Sequence, residues 1–69
     1  MKIRFKSEEA MKEFAKLSIG YSSHNKNLVM RHGMNEFEVC PDEFGEWWDT
    51  VDGDFTINVK EERKYFEIV

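Results

Sequence analysis

The stretch MKIRFKSEEAMKEFAKL, residues 1–17, decides how the fold begins. Apolar and basic side chains alternate over the first six residues, which predicts a strand with Ile3 and Phe5 facing the core. Ser7 is a favourable N-cap, and the two glutamates after it suit the positive end of a helix dipole. Apolar residues then recur at helical spacing and predict a helix over residues 8–18, which Gly20 is placed to end. These residues are Ala10, Met11, Phe14 and Leu17.

The rest of the chain predicts four more strands and a second helix. Residues 21–27 are polar and turn-like, and short apolar or alternating segments predict strands at 28–31, 36–39, 55–59 and 65–69. Pro41 suits the first position of a helix. The apolar residues that follow it at i, i+3, i+4 and i+7 are Phe44, Trp47, Trp48 and Val51. This stripe predicts an amphipathic helix ending before Asp52, although Gly45 inside it costs about 1 kcal/mol relative to alanine.

The resulting order, β-α-β-β-α-β-β, predicts a single α+β domain over residues 1–69 with a ferredoxin-like antiparallel sheet and two helices on one face. The right-handed crossover rule makes the first two strands parallel, with the third between them. On the helix-free face, Lys2 and Arg4 would then lie beside Glu36 and Glu38 as opposite-charge neighbours. The alternative is a meander of the last strands with the helices packed differently.

The inward positions of these elements predict one small core. Its expected members are Ile3, Phe5, Phe14, Leu17, Phe37, Val39, Trp48, Ile57 and Phe66.

Length and composition exclude several protein classes. Sixty-nine residues suffice for one compact domain, and 41% hydrophobic residues are enough for a core. The single cysteine excludes an internal disulfide framework and suits a reducing compartment. The longest apolar run is Leu28 to Met30, so we expect neither a membrane-spanning helix nor a signal peptide. The sequence therefore predicts a cytoplasmic protein.

Charge is distributed unevenly along the chain. Residues 1–34 sum to +4, whereas residues 35–54 hold eight acids and no base. On the predicted second helix, four of these acids share the face opposite the tryptophans and have no basic i+4 partner. We interpret the segment either as a solvated acidic face or as a surface that docks on a basic protein, with Trp47 rather than Trp48 as the exposed indole. The candidate partner-binding residues are Glu36, Glu38, Asp42, Glu43, Glu46, Trp47, Asp49, Asp52 and Asp54.

Signals for catalysis and for metal binding are weak. There is no phosphate-binding loop, dinucleotide fingerprint or catalytic triad pattern, so we predict no enzyme activity and no cofactor. Cys40 with His24 or His32 is a conceivable nucleophile and base or zinc site, but their spacing matches no zinc motif. Residues 49–54 do not have the ligand spacing of a calcium loop. A small Cys/His enzyme or metal-binding module remains the alternative to a binding protein.

Direct nucleic-acid binding is not expected. RNA-recognition sheets stack bases on outward aromatic residues, whereas the outward positions here are Lys2, Arg4, Glu36 and Glu38. The net charge of −4 also lacks the basic surface that phosphate binding needs.

A short, acidic, aromatic-rich domain without a catalytic signature resembles the small accessory proteins that bacteriophages encode. This resemblance lies in overall character across the whole chain and rests on no shared motif. It implies a protein that inhibits a host enzyme or a defence or nucleic-acid-processing complex in the host cytoplasm. A narrower form of the docking interpretation is that the acidic segment mimics nucleic-acid phosphates. We expect a monomer or weak homodimer, and a self-associating subunit that pairs its basic half with its acidic segment is a further alternative.

Overall fold

A five-stranded antiparallel sheet with three α-helices forms the architecture over residues 1–17 and 23–69, the part of the chain that the computed structural model describes. The strands are β1 (Lys2–Phe5), β2 (Phe37–Pro41), β3 (Trp47–Thr50), β4 (Thr56–Asn58) and β5 (Phe66–Ile68). The helices are α1 (Glu8–Lys16), α2 (His24–His32) and α3 (Val59–Glu62), and a 3-10 turn (Arg63–Tyr65) leads from α3 into β5.

The strand order in space is β4-β3-β2-β1-β5, and every neighbouring pair is antiparallel. Strands β2, β3 and β4 form a meander, while α1 and α2 connect β1 to its antiparallel neighbour β2. The chain then crosses from β4 at one edge to β5 at the other. The prediction of an α+β fold with an antiparallel sheet is confirmed. The ferredoxin-like order is not confirmed, and the sheet contains the meander that was its alternative.

Helix α1 begins as the sequence predicts. Ser7 has an extended backbone, and its hydroxyl accepts a hydrogen bond from the Ala10 amide at 3.0 Å, which satisfies one of the free amides of the first turn. Phe14 faces inward and is fully buried. Leu17 follows the helix as its C-cap and is 39% exposed, so the prediction that it belongs to the core is wrong. Gly20, the predicted end of this helix, lies outside the described residues.

The predicted strand at 28–31 is part of helix α2, and so are residues 24–27 of the predicted turn. Leu28 is buried one turn after the buried Asn25, while Met30 is 83% exposed. The inward positions thus follow helical spacing rather than alternation. A three-residue apolar run fits either structure, so the run by itself could not decide between them.

The predicted helix after Pro41 is wrong, since the segment turns and enters β3. Gly45 has φ 70°, a left-handed conformation that is incompatible with continuing an α-helix. One carboxylate oxygen of Asp42 accepts the Glu46 amide at 2.7 Å and the Trp47 amide at 3.2 Å, which fixes the turn. Beyond it, the side chains alternate between exposed and buried, as in a strand with one solvated face. The helical spacing of the four apolar residues is therefore coincidental.

The core lies between the inner face of the sheet and helices α1 and α2. Except for Leu17, every predicted core residue is buried, and Leu28, Phe55 and Tyr65 join them. Around Phe14, ring centroids lie 5.3 Å from Phe5, 5.2 Å from Phe66 and 6.1 Å from Tyr65. This aromatic contact fastens α1 to β1, to β5 and to the turn before β5.

The outer edge of β4 is closed by side chains. Hydrogen bonds from Thr50 N to Phe55 O (2.9 Å) and from Val59 N to Glu46 O (3.0 Å) join this segment to β3. Because alternate residues of an antiparallel strand face the neighbour, the Thr56 and Asn58 amides face outward. The Thr56 amide donates to His24 Nε2 at 3.1 Å, and the Asn58 amide donates to Glu62 Oε1 at 2.8 Å.

Asn25 joins these two caps into one network. Its side chain is 7% exposed, and its amide nitrogen donates to the carbonyl of Phe14 and to Glu62 Oε2, both at 3.0 Å. Its amide oxygen lies 2.8 Å from Nδ1 of His24. Every polar atom of the Asn25 amide group therefore has a partner, and the partners come from α1, α2 and α3.

Replacing Phe14 with alanine should destabilise the protein by about 3–5 kcal/mol, because the aromatic contact would be left as a cavity. Chemical denaturation of the two proteins measures the change in the free energy of unfolding. Phe44→Ala is the matched control, since Phe44 is 78% exposed, and it should be near neutral. Equal effects of the two substitutions would contradict the core assignment.

Asn25→Ala should cost about 1–3 kcal/mol, because the Phe14 carbonyl and the Glu62 carboxylate lose a buried donor. Asn27→Ala removes the same side chain two residues further along α2, where it is exposed and makes a single 3.4 Å contact with Ser23. This control should change stability by less than about 0.5 kcal/mol. A loss no larger for Asn25 than for Asn27 would show that the network does not stabilise the fold.

Candidate functional site

The β2–β3 hairpin carries exposed aromatic and acidic side chains on its turn and on the outer face of the sheet. Phe44, in the turn, is 78% exposed, and Trp47, at the start of β3, is 42% exposed. Trp47 and Asp49 point to the outer face, opposite the side on which α1 and α2 pack. We define the tryptophan surface as Glu43, Phe44, Glu46, Trp47 and Asp49.

Strand alternation determines which tryptophan is exposed. Trp48 is 5% exposed and pairs with Ile57 in the core, whereas Trp47 faces outward opposite Asn58. The prediction that Trp47 is the exposed indole is confirmed, although the reason is a strand rather than a helix margin. The exposure of Phe44 was missed, because the helical stripe assigned this residue to a buried face. Gly45 next to it was the signal for a turn.

The β1 side of the outer face is electrically balanced. Lys2 lies opposite Glu38, and Arg4 lies 2.6 Å from Glu67 and 3.9 Å from Glu36. The hydrogen bond and the charge of Glu67 raise the pKa of Arg4 above its ordinary value. The N-terminal ammonium also lies 3.2 Å from Glu38. The expected opposite-charge neighbours are confirmed, and both candidate glutamates of this region already have cationic partners.

Two further candidate residues, Asp52 and Asp54, form ion pairs with a base of the same chain. Arg31 of α2 binds Asp52 at 3.0 Å and Asp54 at 2.8 Å, both in the turn between β3 and β4. Hydrogen bonds from the Thr50 hydroxyl and the Asp54 amide, assisted by the charge of Arg31, lower the pKa of Asp52. Arg31 also lies over the ring of Phe55 at 5.3 Å. These two aspartates therefore fasten the β3–β4 turn to α2.

The remaining candidate acids lack cationic partners. Within the described residues, no ion pair involves Asp42, Glu43, Glu46 or Asp49. Asp42 holds the turn by accepting two amides, and Asp49 accepts the Thr56 hydroxyl at 3.0 Å. The single acidic helix face predicted for these four residues is not formed. Their charges are instead concentrated on and beside the tip of the β2–β3 hairpin.

The structure does not bring the cysteine and the histidines together. Cys40 is exposed and lies opposite Asp49 on the outer face. His32 lies on the inner face, where it stacks on Phe37, and His24 lies at the outer edge of β4, so that β4 and β3 stand between it and the strand of Cys40. No group of three metal-ligating side chains occurs in residues 1–17 and 23–69.

The ring of His32 packs against the core. Its ring stacks on Phe37 with centroids 4.2 Å apart, and Nε2 has no hydrogen-bond partner in the described part of the chain. Burial lowers the pKa of His32, although Asp52, whose carboxylate lies 3.9 Å from Nε2, partly opposes this effect. The contribution of His32 to stability is thus present above its unfolded pKa and is lost as the pH falls through its lower folded pKa.

The outer face does carry an aromatic residue, contrary to the sequence argument against nucleic-acid binding. Trp47 occupies an outward strand position, where bases stack in RNA-recognition sheets. Its neighbours Glu46 and Asp49 are acidic, so phosphates would be repelled rather than held. The charge argument, rather than the aromatic one, disfavours a nucleic-acid surface.

Comparison of the chain with protein-family models, with curated proteins and with solved structures gives no match. Among the described residues, no helix has the length and apolar character needed to cross a membrane. Function must therefore be argued from the surface itself.

Fluorescence quenching should distinguish the two tryptophans. Trp48→Phe leaves Trp47 as the only indole, and acrylamide should quench it several-fold more efficiently than it quenches Trp48 in the Trp47→Phe protein. Both variants retain an aromatic side chain, and a denaturation curve checks that each is folded. Similar quenching constants in the two folded variants would contradict the exposed position of Trp47.

Acidification should weaken the fold partly through His32. Between about pH 7.5 and about pH 5.5, the free energy of unfolding should fall, because the unfolded imidazole, with a pKa near 6.5, takes up protons more readily than the folded one. His32→Phe keeps an aromatic ring on Phe37 and should show a smaller loss over this interval. An equal loss in both proteins would assign the effect to other groups.

Proposed function

We propose that this chain is a non-enzymatic protein-binding module that docks on a basic surface of its partner through the tryptophan surface. The observation that carries the proposal is the exposure of two large aromatic rings on a hairpin where the acids of the tryptophan surface form no ion pair within the described residues. Elsewhere on the described surface, acids of the same segment are already neutralised by Arg4, by Arg31 or by the N-terminus.

The two kinds of side chain would have different roles. Burial of Trp47 and Phe44 would supply most of the affinity, since aromatic anchors dominate interface energetics. Glu43, Glu46 and Asp49 would attract a basic partner and raise the association rate. Both sets lie on one hairpin that is braced by Asp42 and by the pairing of β3 with β2 and β4, so little ordering would be needed on binding.

We further propose that the partner is a host protein, or a defence or nucleic-acid-processing complex, that the domain inhibits. Support for this step is the phage-like character of the sequence, together with a surface that offers carboxylates where a phosphate-binding protein expects negative charge. The exposed free thiol of Cys40 favours a reducing cytoplasm as the place of action.

The alternatives lack comparable support. A Cys/His enzyme or metal site would need groups that the sheet keeps apart. Self-association through the basic half has less support, because both of its arginines, Arg4 and Arg31, already bind acids of the same chain.

Affinity capture from a bacterial lysate, followed by mass spectrometry, should yield a partner whose binding depends on Trp47. With that purified partner, Trp47→Ala should accelerate dissociation and weaken binding by about 2 kcal/mol or more, measured by surface plasmon resonance. Trp48→Phe, a conservative change in the core, is the control and should bind as the wild type does. Undiminished binding by the folded Trp47→Ala protein would refute the proposed surface.

Neutralising the acids of the tryptophan surface should act on association. The triple variant Glu43→Gln, Glu46→Gln, Asp49→Asn should associate more slowly at low salt and show a weaker salt dependence, with dissociation changed less. Glu8→Gln, Glu9→Gln, Glu13→Gln removes the same charge from α1. If the α1 variant slows association as much, the effect is one of net charge and not of this surface.

A further inference from the structure

The hydrogen bonds around His24 fix the proton positions in the network that closes the edge of β4. A backbone amide can only donate, so Nε2, which receives the Thr56 amide at 3.1 Å, carries no proton. The imidazole proton is then on Nδ1 and is donated to the amide oxygen of Asn25 at 2.8 Å. This orientation of Asn25 is independently required, because its nitrogen donates to the Phe14 carbonyl and to Glu62.

A second proton on this ring would remove the bond to β4. Both nitrogens of a protonated imidazole are donors, so Nε2–H would face the N–H of Thr56. No such conflict arises at Asn58, whose outward amide is held by the Glu62 carboxylate at 2.8 Å. The two outward amides of the same strand are thus closed by chemically different caps, one an imidazole and the other a carboxylate.

From this arrangement we propose that His24 is a proton-sensitive latch on the outer edge of β4. In its neutral form it closes the edge at Thr56 and holds the β3–β4 hairpin against α2, and its protonation opens the edge there. Protonation would thus leave the Thr56 amide at this strand edge without its acceptor from the protein.

Charged groups from each neighbouring element bear on the latch. Glu62 of α3 is linked to His24 through Asn25. The second contact between α2 and the β3–β4 hairpin is the ion pairing of Arg31 with Asp52 and Asp54. The Phe55 ring lies between the two contacts, with its centroid 5.5 Å from His24 and 6.2 Å from His32. Because the Arg31 ion pairs persist when imidazoles are protonated, the opening stays local to the Thr56 end of the hairpin.

Amide hydrogen exchange tests the latch residue by residue. As the pH falls from about 7.5 to about 5.5, the protection of the Thr56 amide, corrected for the intrinsic exchange rate, should decrease roughly fivefold or more, as expected for one lost hydrogen bond. The Asn58 amide is the internal control for any loss of global stability, and its protection should decrease less than that of Thr56. In His24→Gln, whose side-chain carbonyl can accept the same amide without titrating, the protection of Thr56 should fall no more than that of Asn58.

Two results would overturn the proposal. One is an equal loss of protection at Thr56 and Asn58, which would mean that the whole domain opens. The other is a loss at Thr56, in excess of that at Asn58, that persists in folded His24→Gln. If that variant does not fold, the tautomer of His24 decides the matter in the wild type: imidazole nitrogen shifts at pH 7.5 must show the proton on Nδ1, and a proton on Nε2 would refute the latch.

Discussion

The buried amide group of Asn25 is the interaction on which the arrangement of the elements depends. Its nitrogen and oxygen form hydrogen bonds with the Phe14 carbonyl of α1, the His24 ring of α2 and the Glu62 carboxylate of α3. Two of these partners, His24 and Glu62, in turn hold the outward amides of β4. A buried amide with unsatisfied atoms is costly, so these elements must meet in one geometry.

The polar network around Asn25 and the aromatic core stabilise different sides of the sheet. Phe14 packs α1 over β1 and β5, at one side of the sheet, while α2 is fastened to the β3–β4 hairpin at the other. Apolar burial supplies most of the stabilisation but has little directionality, whereas hydrogen bonds with fixed donors and acceptors select one arrangement. Both sets of contacts place the helices on the same face of the sheet, and this leaves the outer face exposed to solvent.

The distribution of charge on the outer face follows from the order of the strands. Because β1 lies between β2 and β5, its basic side chains stand between acidic ones, and that half of the face is balanced. The other half lies around β3, whose neighbours β2 and β4 place no base on this face, so the acidic residues there form no ion pair within the described part of the chain. An acidic segment in the sequence thus becomes two regions with different roles, one that stabilises the fold and one that faces outward.

Much of the fold was determined by the sequence alone. The alternation of MKIRFK, the Ser7 cap and the stripe around Phe14 predicted β1 and α1, because each signal is local and complete within a few residues. Alternation likewise predicted the strands containing Phe37 and Ile57 and nearly all of the core. The exposure of Trp47 and the charge imbalance of residues 35–54 were also predicted there, and they led to the proposal of a binding surface in this segment.

Tertiary structure decided what those local signals left ambiguous. The apolar residues after Pro41 have helical spacing, yet this stretch forms a turn and a strand. The turn is fixed by Asp42 and by the left-handed conformation of Gly45. Pairing with β2 and β4 then satisfies the backbone of the strand, which needs partner strands for its hydrogen bonds. Similarly, residues 24–32 form a helix because Asn25 and Leu28 find buried partners on other elements. Which acids are free depends on which cations the fold brings beside them. Arg31 and Asp54 are 23 residues apart, a separation over which the sequence carries no pairing signal.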